Sequence, residues 1–165
     1  MKVDNIEKLL VDELKDLYSA EKQITRALQK MAKAATNDEL RKAFETHLKE
    51  TEGQIERLDR VFEILGKSSS GKTCEGMKGL LLEGEQMMGE TVSGDVRDAA
   101  MISAAQRVEH YEMAGYGAVR TYAELLGKKE IAQLLQETLN EEGETDKKLT
   151  HIAMKVNPRA LRQAA

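Results

Sequence analysis

The sequence predicts an all-α fold, a four-helix bundle of two antiparallel helical hairpins joined by a long crossover that carries a short extra helix. Three observations predict it. Apolar residues recur alternately three and four apart in four stretches, at about residues 4–34, 37–65, 95–126 and 128–156, which is the period of one face of an α-helix. Two Phe, four Tyr and no Trp in 165 residues leave too few aromatic and β-branched runs for a sheet protein. A single proline and 33% charged residues of interleaved sign suit long, solvated helix faces.

The first helix is expected over about 4–34. Asp4 with Glu7 reads as an N-cap and its capping-box partner, and the core stripe runs Ile6, Leu10, Leu14, Leu17, Ile24, Leu28, Met31 and Ala35. Its one missing beat is Glu21. Thr36 and Glu39 repeat the capping-box pattern, so the turn is short and the second helix, about 37–65, lies antiparallel to the first. That helix carries Leu40, Ala43, Leu58, Val61 and Leu65, with His47, Glu50 and Gln54 on the beats between. A competing frame through Phe44, Leu48, Thr51, Ile55, Leu58 and Phe62 is equally periodic and would put His47, Glu50 and Gln54 at the edge of a wide stripe. Gly66 ends the helix.

Residues 66–94 break the pattern. Ser68, Ser69, Ser70 and Gly71 form a linker, and Met77, Leu80, Leu81, Met87 and Met88 suggest a short helix. A connection this long fits a crossover along a helix of about 40 Å, so that the second and third long helices run parallel; a functional lid is the alternative. The third helix, about 95–126, carries Ile102, Ala105, Tyr116, Val119, Ala123 and Leu126, and Glu109 and Glu112 fill its two missing beats. After Gly127 comes the fourth helix, about 128–156, with Ile131, Leu134, Leu135, Leu149, Ile152 and Val156 apolar and Thr138, Glu141 or Glu142, and Thr145 in mid-stripe. Pro158 falls beyond its expected end. The chain reads as one domain over 1–165.

Composition excludes several functions. A net charge of −4 gives no general attraction to nucleic acid or anionic membrane. The longest apolar run, Leu80-Leu81-Leu82, is far below the roughly 20 residues that span a bilayer. Cys74 is alone and cannot form an internal disulfide, which with the polar start points to a reducing cytoplasm; in its Ser/Gly-rich setting it reads as an incidental surface thiol.

The glutamates need an explanation, because a carboxylate in a low-dielectric interior must be paired, protonated or bound to a cation. Sliding the chain on itself by 91 residues superposes the two hairpins without a gap, placing Glu21 on Glu112 and Glu50 on Glu141. Pseudo-two-fold symmetry would bring these carboxylates to one level of the bundle and make a cation site.

The stretches Tyr18-Ser19-Ala20-Glu21, His47-Leu48-Lys49-Glu50, Val108-Glu109-His110-Tyr111-Glu112 and Leu139-Asn140-Glu141-Glu142, with Asp146, resemble the YciE/YciF family of bacterial ferritin-like stress proteins. The resemblance covers nearly the whole chain. It implies a ferritin-like bundle holding one or two ions of iron or manganese. The ligands would be Glu21 and Glu50 from the first hairpin and Glu112 with Glu141 or Glu142 from the second. Glu109 would be a further or bridging carboxylate, and His47, Gln54 and Asp146 peripheral ligands or supports. The implied chemistry is oxidation of Fe²⁺ by O₂ or peroxide in stress protection. The Glu-x-x-His of ferritin-like di-metal proteins is absent, since Gly53, Glu144 and Thr145 stand where histidine would fall; His47 precedes Glu50 instead. His110 lies off the Glu109 and Glu112 stripe, and Tyr18 and Tyr111 are expected near the site. The alternative reading is a metal-free helical scaffold that acts through dimerisation or protein association, with Met- and Ala-rich helix faces as a homodimer interface.

Overall fold

Short polar side chains decide where the helices begin. In the computed structural model, which describes residues 2–163, Asn5 Oδ1 accepts from Lys8 N at 2.9 Å and Asn37 Oδ1 accepts from Leu40 N at 3.0 Å. The caps are therefore Asn5 and Asn37, one residue inside the expected Asp4 and Thr36. Asp4 is engaged by Lys8 Nζ at 2.8 Å, and the Thr36 amide donates to Asp98, so neither is placed to cap. Residues 1, 164 and 165 of the expected domain lie outside the described residues.

Five helices follow: α1 (Ile6–Ala34), α2 (Asp38–Leu65), α3 (Glu75–Glu90), α4 (Asp95–Leu125) and α5 (Lys129–Gln163). Gly66 and Gly127, at φ 60° and 70°, take the left-handed conformation that ends α2 and turns the chain from α4 into α5. α5 continues through Pro158, beyond the expected end near 156. Proline removes one backbone donor, but Val156 and Ile152, both fully buried, hold the preceding turn on course.

The ion pairs fix the topology. Glu39 with Lys155 at one end and Arg60 with Glu130 at the other set α2 antiparallel to α5. Asp98 against the α1–α2 turn, and Gly115 against Leu17, set α4 antiparallel to α1. α2 and α4 therefore run parallel, as a long crossover requires. This is a ferritin-like four-helix bundle, with α3 lying against α4 and α1 on the outside.

The bundle has two apolar half-cores rather than one. Leu28, Phe44, Met77, Met101, Ile102, Leu149 and Ile152 belong to the first, and Leu10, Leu14, Leu58, Phe62, Val119, Ile131 and Leu135 to the second. Between them, at mid-height, all four long helices turn polar side chains inward.

Asp98, fully buried, accepts from Thr36 N at 2.9 Å and Asn37 N at 2.7 Å and ties the first hairpin to the second. Asp98→Ala leaves the Thr36 and Asn37 amides without their acceptor and removes a buried carboxylate, and urea unfolding is expected to show a loss of about 1–3 kcal/mol. An unchanged urea midpoint would remove this tie from the account of the fold.

Candidate metal centre

Each long helix delivers its inward polar residues by the same spacing. On α2 these are His47, Thr51 and Gln54; on α4, Glu109, Glu112 and Tyr116; on α5, Thr138, Glu142 and Thr145; on α1, Glu21 alone. Steps of three and four keep each set on one face, continuous with the apolar residues of both half-cores. Glu21, Glu109, Glu112 and Glu142 are at most 2% exposed, and so is His47. One ligand atom from each of His47, Glu109, Glu112 and Glu142 lies within 4.8 Å of every other. Glu21 faces Glu112, and Glu142 faces Glu109.

The cluster holds more acceptors than donors. Glu21 Oε1 takes the Tyr116 hydroxyl and Glu142 Oε1 takes Gln54 Nε2. Glu21 Oε2, Glu109 Oε2, Glu142 Oε2 and both oxygens of Glu112 receive no hydrogen bond. His47 Nδ1 is 3.2 Å from Glu50 Oε2 and 3.3 Å from Thr145 Oγ1. Its Nε2 stands 3.2 Å from Glu109 Oε1 and 3.6 Å from Glu142 Oε2 without hydrogen-bond alignment to either. A proton held on Nδ1 by Glu50 leaves the Nε2 lone pair facing the carboxylates, the orientation a metal-ligating imidazole needs. These orphaned, convergent oxygens and one imidazole nitrogen fit a divalent cation, and the oxygen-rich set suits iron or manganese.

Burial dominates the acid–base behaviour. It raises Glu21 to about 7, against the opposing bond from Tyr116. Glu112 is pushed well above the carboxylate range by burial and then by the neighbouring Glu142, Glu21 and Glu109; Glu142 is raised by burial and by Glu109. Burial disfavours charge on His47, but Glu109, Glu50 and Glu142 together outweigh it and hold its pKa well above 6.5. Glu50, partly solvated, is lowered by its contact with His47.

The structure brings together Glu21, Glu109, Glu112, Glu142 and His47, with Gln54 beside them. It does not bring Glu50, Glu141 or Asp146 into the cluster. Glu50 touches it through His47 and Thr145. Glu141 forms a bidentate ion pair with Arg57, at 2.9 and 3.0 Å, on the outer side of α5. Asp146 meets Gln106 and the exposed His110. The open choice between Glu141 and Glu142 thus falls to Glu142 as the inward side chain. Tyr18 packs edge-on against Phe62 under Lys22, and Tyr111 bonds Asp16 at 2.6 Å, so neither hydroxyl serves the cluster. Cys74 is not a surface thiol but fully buried, because Asp16 and Tyr111, distant in sequence, close over its sulfur. The periodicity marks Tyr116 only as a core position; its spacing of four from Glu112, and the partner a buried phenol needs, are the signals for its role.

Residues 5–162 match the family described as a domain of unknown function, DUF892. The chain is 48% identical to Protein YciF of Escherichia coli strain K12 over 166 aligned positions, covering 99% of this chain and 100% of the relative. The crystal structure of the E. coli stress protein YciF superposes with a TM-score of 0.91 over 94% of this chain and 99% of the other. YcfI of Rhodopseudomonas palustris superposes with a TM-score of 0.88 at 45% identity, over 90% of this chain and 95% of the other. The chain belongs to the DUF892 family and is YciF-like throughout its length.

Acids with raised folded-state pKa values add no penalty below about pH 4.5, and their cost to folding grows as pH climbs towards the folded values. His47, raised above 6.5, stabilises fully below pH 6.5 and loses that contribution as pH rises through its folded value. Both effects run the same way, so the chelator-treated protein is expected to melt at lower temperature at pH 8 than at pH 5. Glu112→Gln should flatten the slope. Melting curves followed by circular dichroism decide it, and a rising melting temperature across this window would contradict the assigned burial of the cluster.

Proposed function

We propose that this protein holds one or two divalent ions, iron or manganese, between its two half-cores and acts in stress protection by oxidising Fe²⁺ or consuming peroxide or O₂. The observation that carries the reading is the meeting of four carboxylates and one imidazole, all almost completely buried, with fewer donors than acceptors. Four carboxylates carry a charge that two divalent ions would neutralise, and an uncompensated buried charge costs several kcal/mol. The E. coli relative is described as a stress protein, which supports the physiological context.

His47 Nε2, Glu109, Glu112 and Glu142 would hold the metal, with Glu21 as a further carboxylate next to Glu112. Bound iron would supply one-electron redox chemistry towards O₂ or peroxide; manganese would be suited to the same hard donor set. The chain's own residues do the positioning. Glu50 and Thr145 hold the imidazole from outside, Gln54 holds Glu142, and Tyr116 holds Glu21. Arg57 reaches across the α2–α5 seam to both Glu141 and the buried Thr138, with its guanidinium 2.6 Å from Thr138 Oγ1. The apolar half-cores above and below exclude water, which strengthens every electrostatic contact within.

The same reading takes the molecule as a cytoplasmic homodimer. Among the described residues no helix is long and apolar enough to cross a membrane, and Leu82, Val92, Met154 and Leu161, between 54% and 79% exposed, are apolar surface that a second copy would cover.

Metal analysis by plasma mass spectrometry on protein purified without chelator tests the proposal. Wild type and Glu141→Gln should carry one or two equivalents of iron or manganese, while Glu112→Gln/Glu142→Gln should carry almost none. Metal-free wild type after anaerobic loading with Fe²⁺ or Mn²⁺ would leave the scaffold reading in its place. Equal metal in the double variant would move the site elsewhere.

A further inference from the structure

The crossover helix leaves an opening in the bundle. α3 touches α4 at its first turn, where Gly76 lies against the Tyr111 ring and Met77 is buried, and again at Gly84, where a Cβ would fall 3.3 Å from that of Ala104. Between α3 and the α1–α4 face runs a half-enclosed cleft of about 350 Å³. Its floor is apolar and belongs to the bundle: Met31, Met101, Ala104 and Val108 are each under 10% exposed yet line it. Leu81 and Met88 of α3 form the facing wall. Small side chains at Ala27, Ala104 and Ala105 leave the space unfilled.

The rim carries three cations and one carboxylate, Glu85. Arg26, Lys30 and Lys78 stand around the mouth. Lys30 is bonded to Glu85 of α3 at 2.9 Å and Lys78 to Glu75 at 3.1 Å. Arg26 makes no ion pair or hydrogen bond among the described residues and is the cation available to a ligand. An apolar cavity of this size with one convergent charge is the usual form of a small-molecule site. At roughly 30 Å³ per methylene, about the share of a liquid water molecule, it accommodates a chain of about a dozen carbons.

We propose that the cleft between α3 and the α1–α4 face binds a free amphipathic carboxylate, a fatty acid of medium chain length, with the tail against Met31, Met101 and Val108 and the carboxylate on Arg26. Charge complementarity selects an anion over a cation or a neutral alcohol of the same length. The half-enclosed shape selects a monomeric ligand over a bilayer. The site is separate from the metal centre, and its failure would leave the proposed metal chemistry untouched.

The test is titration calorimetry of laurate into the full-length protein, below the concentration at which laurate forms micelles. The expected result is saturable binding of one laurate per chain, at least about tenfold tighter than dodecyltrimethylammonium. Arg26→Glu, an exposed position, should weaken laurate about tenfold without changing the melting temperature. Ala27→Leu, which fills the cleft, should abolish binding, and Glu112→Gln should bind as wild type does. Non-saturable uptake, equal affinity for the cationic amphiphile, or unchanged affinity in both Arg26→Glu and Ala27→Leu would overturn the assignment. So would flotation with phosphatidylglycerol vesicles in the absence of laurate binding, which would show a surface for bilayers instead.

Discussion

Everything in this bundle is arranged around a layer of desolvated charge at mid-height. An ion taken from water into a protein interior costs several kcal/mol even after relaxation, and a whole domain is stable by only about 5–15 kcal/mol. Five ionisable side chains in one buried layer are tolerable only if the layer is neutralised in every state. In the metal-free molecule, burial does this by raising the carboxyl pKa values and by pairing a protonated His47 with Glu109. A cation does the same by replacing those protons, so metal loading and proton release are two sides of one equilibrium. The apolar half-cores hold the helices close enough that no water shell can substitute for either.

The two hairpins contribute unequally. The second supplies three carboxylates, Glu109, Glu112 and Glu142; the first supplies Glu21 and His47. The order along α2 is what sets this up. Because His47 comes three residues before Glu50, both lie on one side of the helix, with the imidazole inward and the carboxylate at the solvated margin. Glu50 can then fix Nδ1 from outside, and Nε2 faces the layer with no other orienting partner required. Glu141 plays the matching part on α5, where it closes on Arg57 and takes a bond from Gln54 at 3.0 Å. An outer ring of solvated carboxylates thus fixes the side chains that hold the inner ring.

How much of this was legible depends on what stands beside each inward position. On α1 and α4 Glu21, Glu109 and Glu112 interrupt the stripe at single beats, and all three are buried. On α2 and α5 polar residues occupy neighbouring positions, Glu50 beside Thr51 and Glu141 beside Glu142, and compete for the inward direction. Periodicity alone could not separate Glu141 from Glu142, nor decide between the frames through Glu50 and Thr51. Local spacing does not report which of two neighbouring residues meets a partner helix, because the crossing geometry decides it. The repeat by 91 residues keeps its register in three dimensions, but Glu50 and Glu141 correspond as outward residues. The inward correspondences are His47 with Thr138, Thr51 with Glu142 and Gln54 with Thr145. The caps at Asn5 and Asn37 were displaced by one because each follows another good capping residue. The burial of Cys74 had no local signature, since the groups covering it come from α1 and α4.

That cysteine shows what the crossover does besides connecting parallel helices. Its backbone amide accepts no freedom: Cys74 N donates to Ser19 Oγ at 3.0 Å, its carbonyl takes Gln23 Nε2 at 3.1 Å, and its sulfur sits against Asp16 and Tyr111. Sγ also accepts from Met77 N, so the same thiol caps α3. Burial, then the bond to Asp16, pushes its pKa up, which keeps it a neutral thiol rather than a nucleophile. Gly76 packs against the Tyr111 ring, where a Cβ would fall 2.9 Å from Cε2, so any side chain there would drive the start of α3 off α4. α3 is therefore pinned at its N-terminus and again at Gly84, and the stretch between has only Leu80 and Leu81 to hold it. A helix of 16 residues, about 24 Å long, cannot cover a bundle whose long helices, of 28 to 35 residues, run about 42 to 52 Å. The fold consequently holds its charged layer between the two half-cores and leaves the flank beside α3, with its apolar floor, incompletely covered.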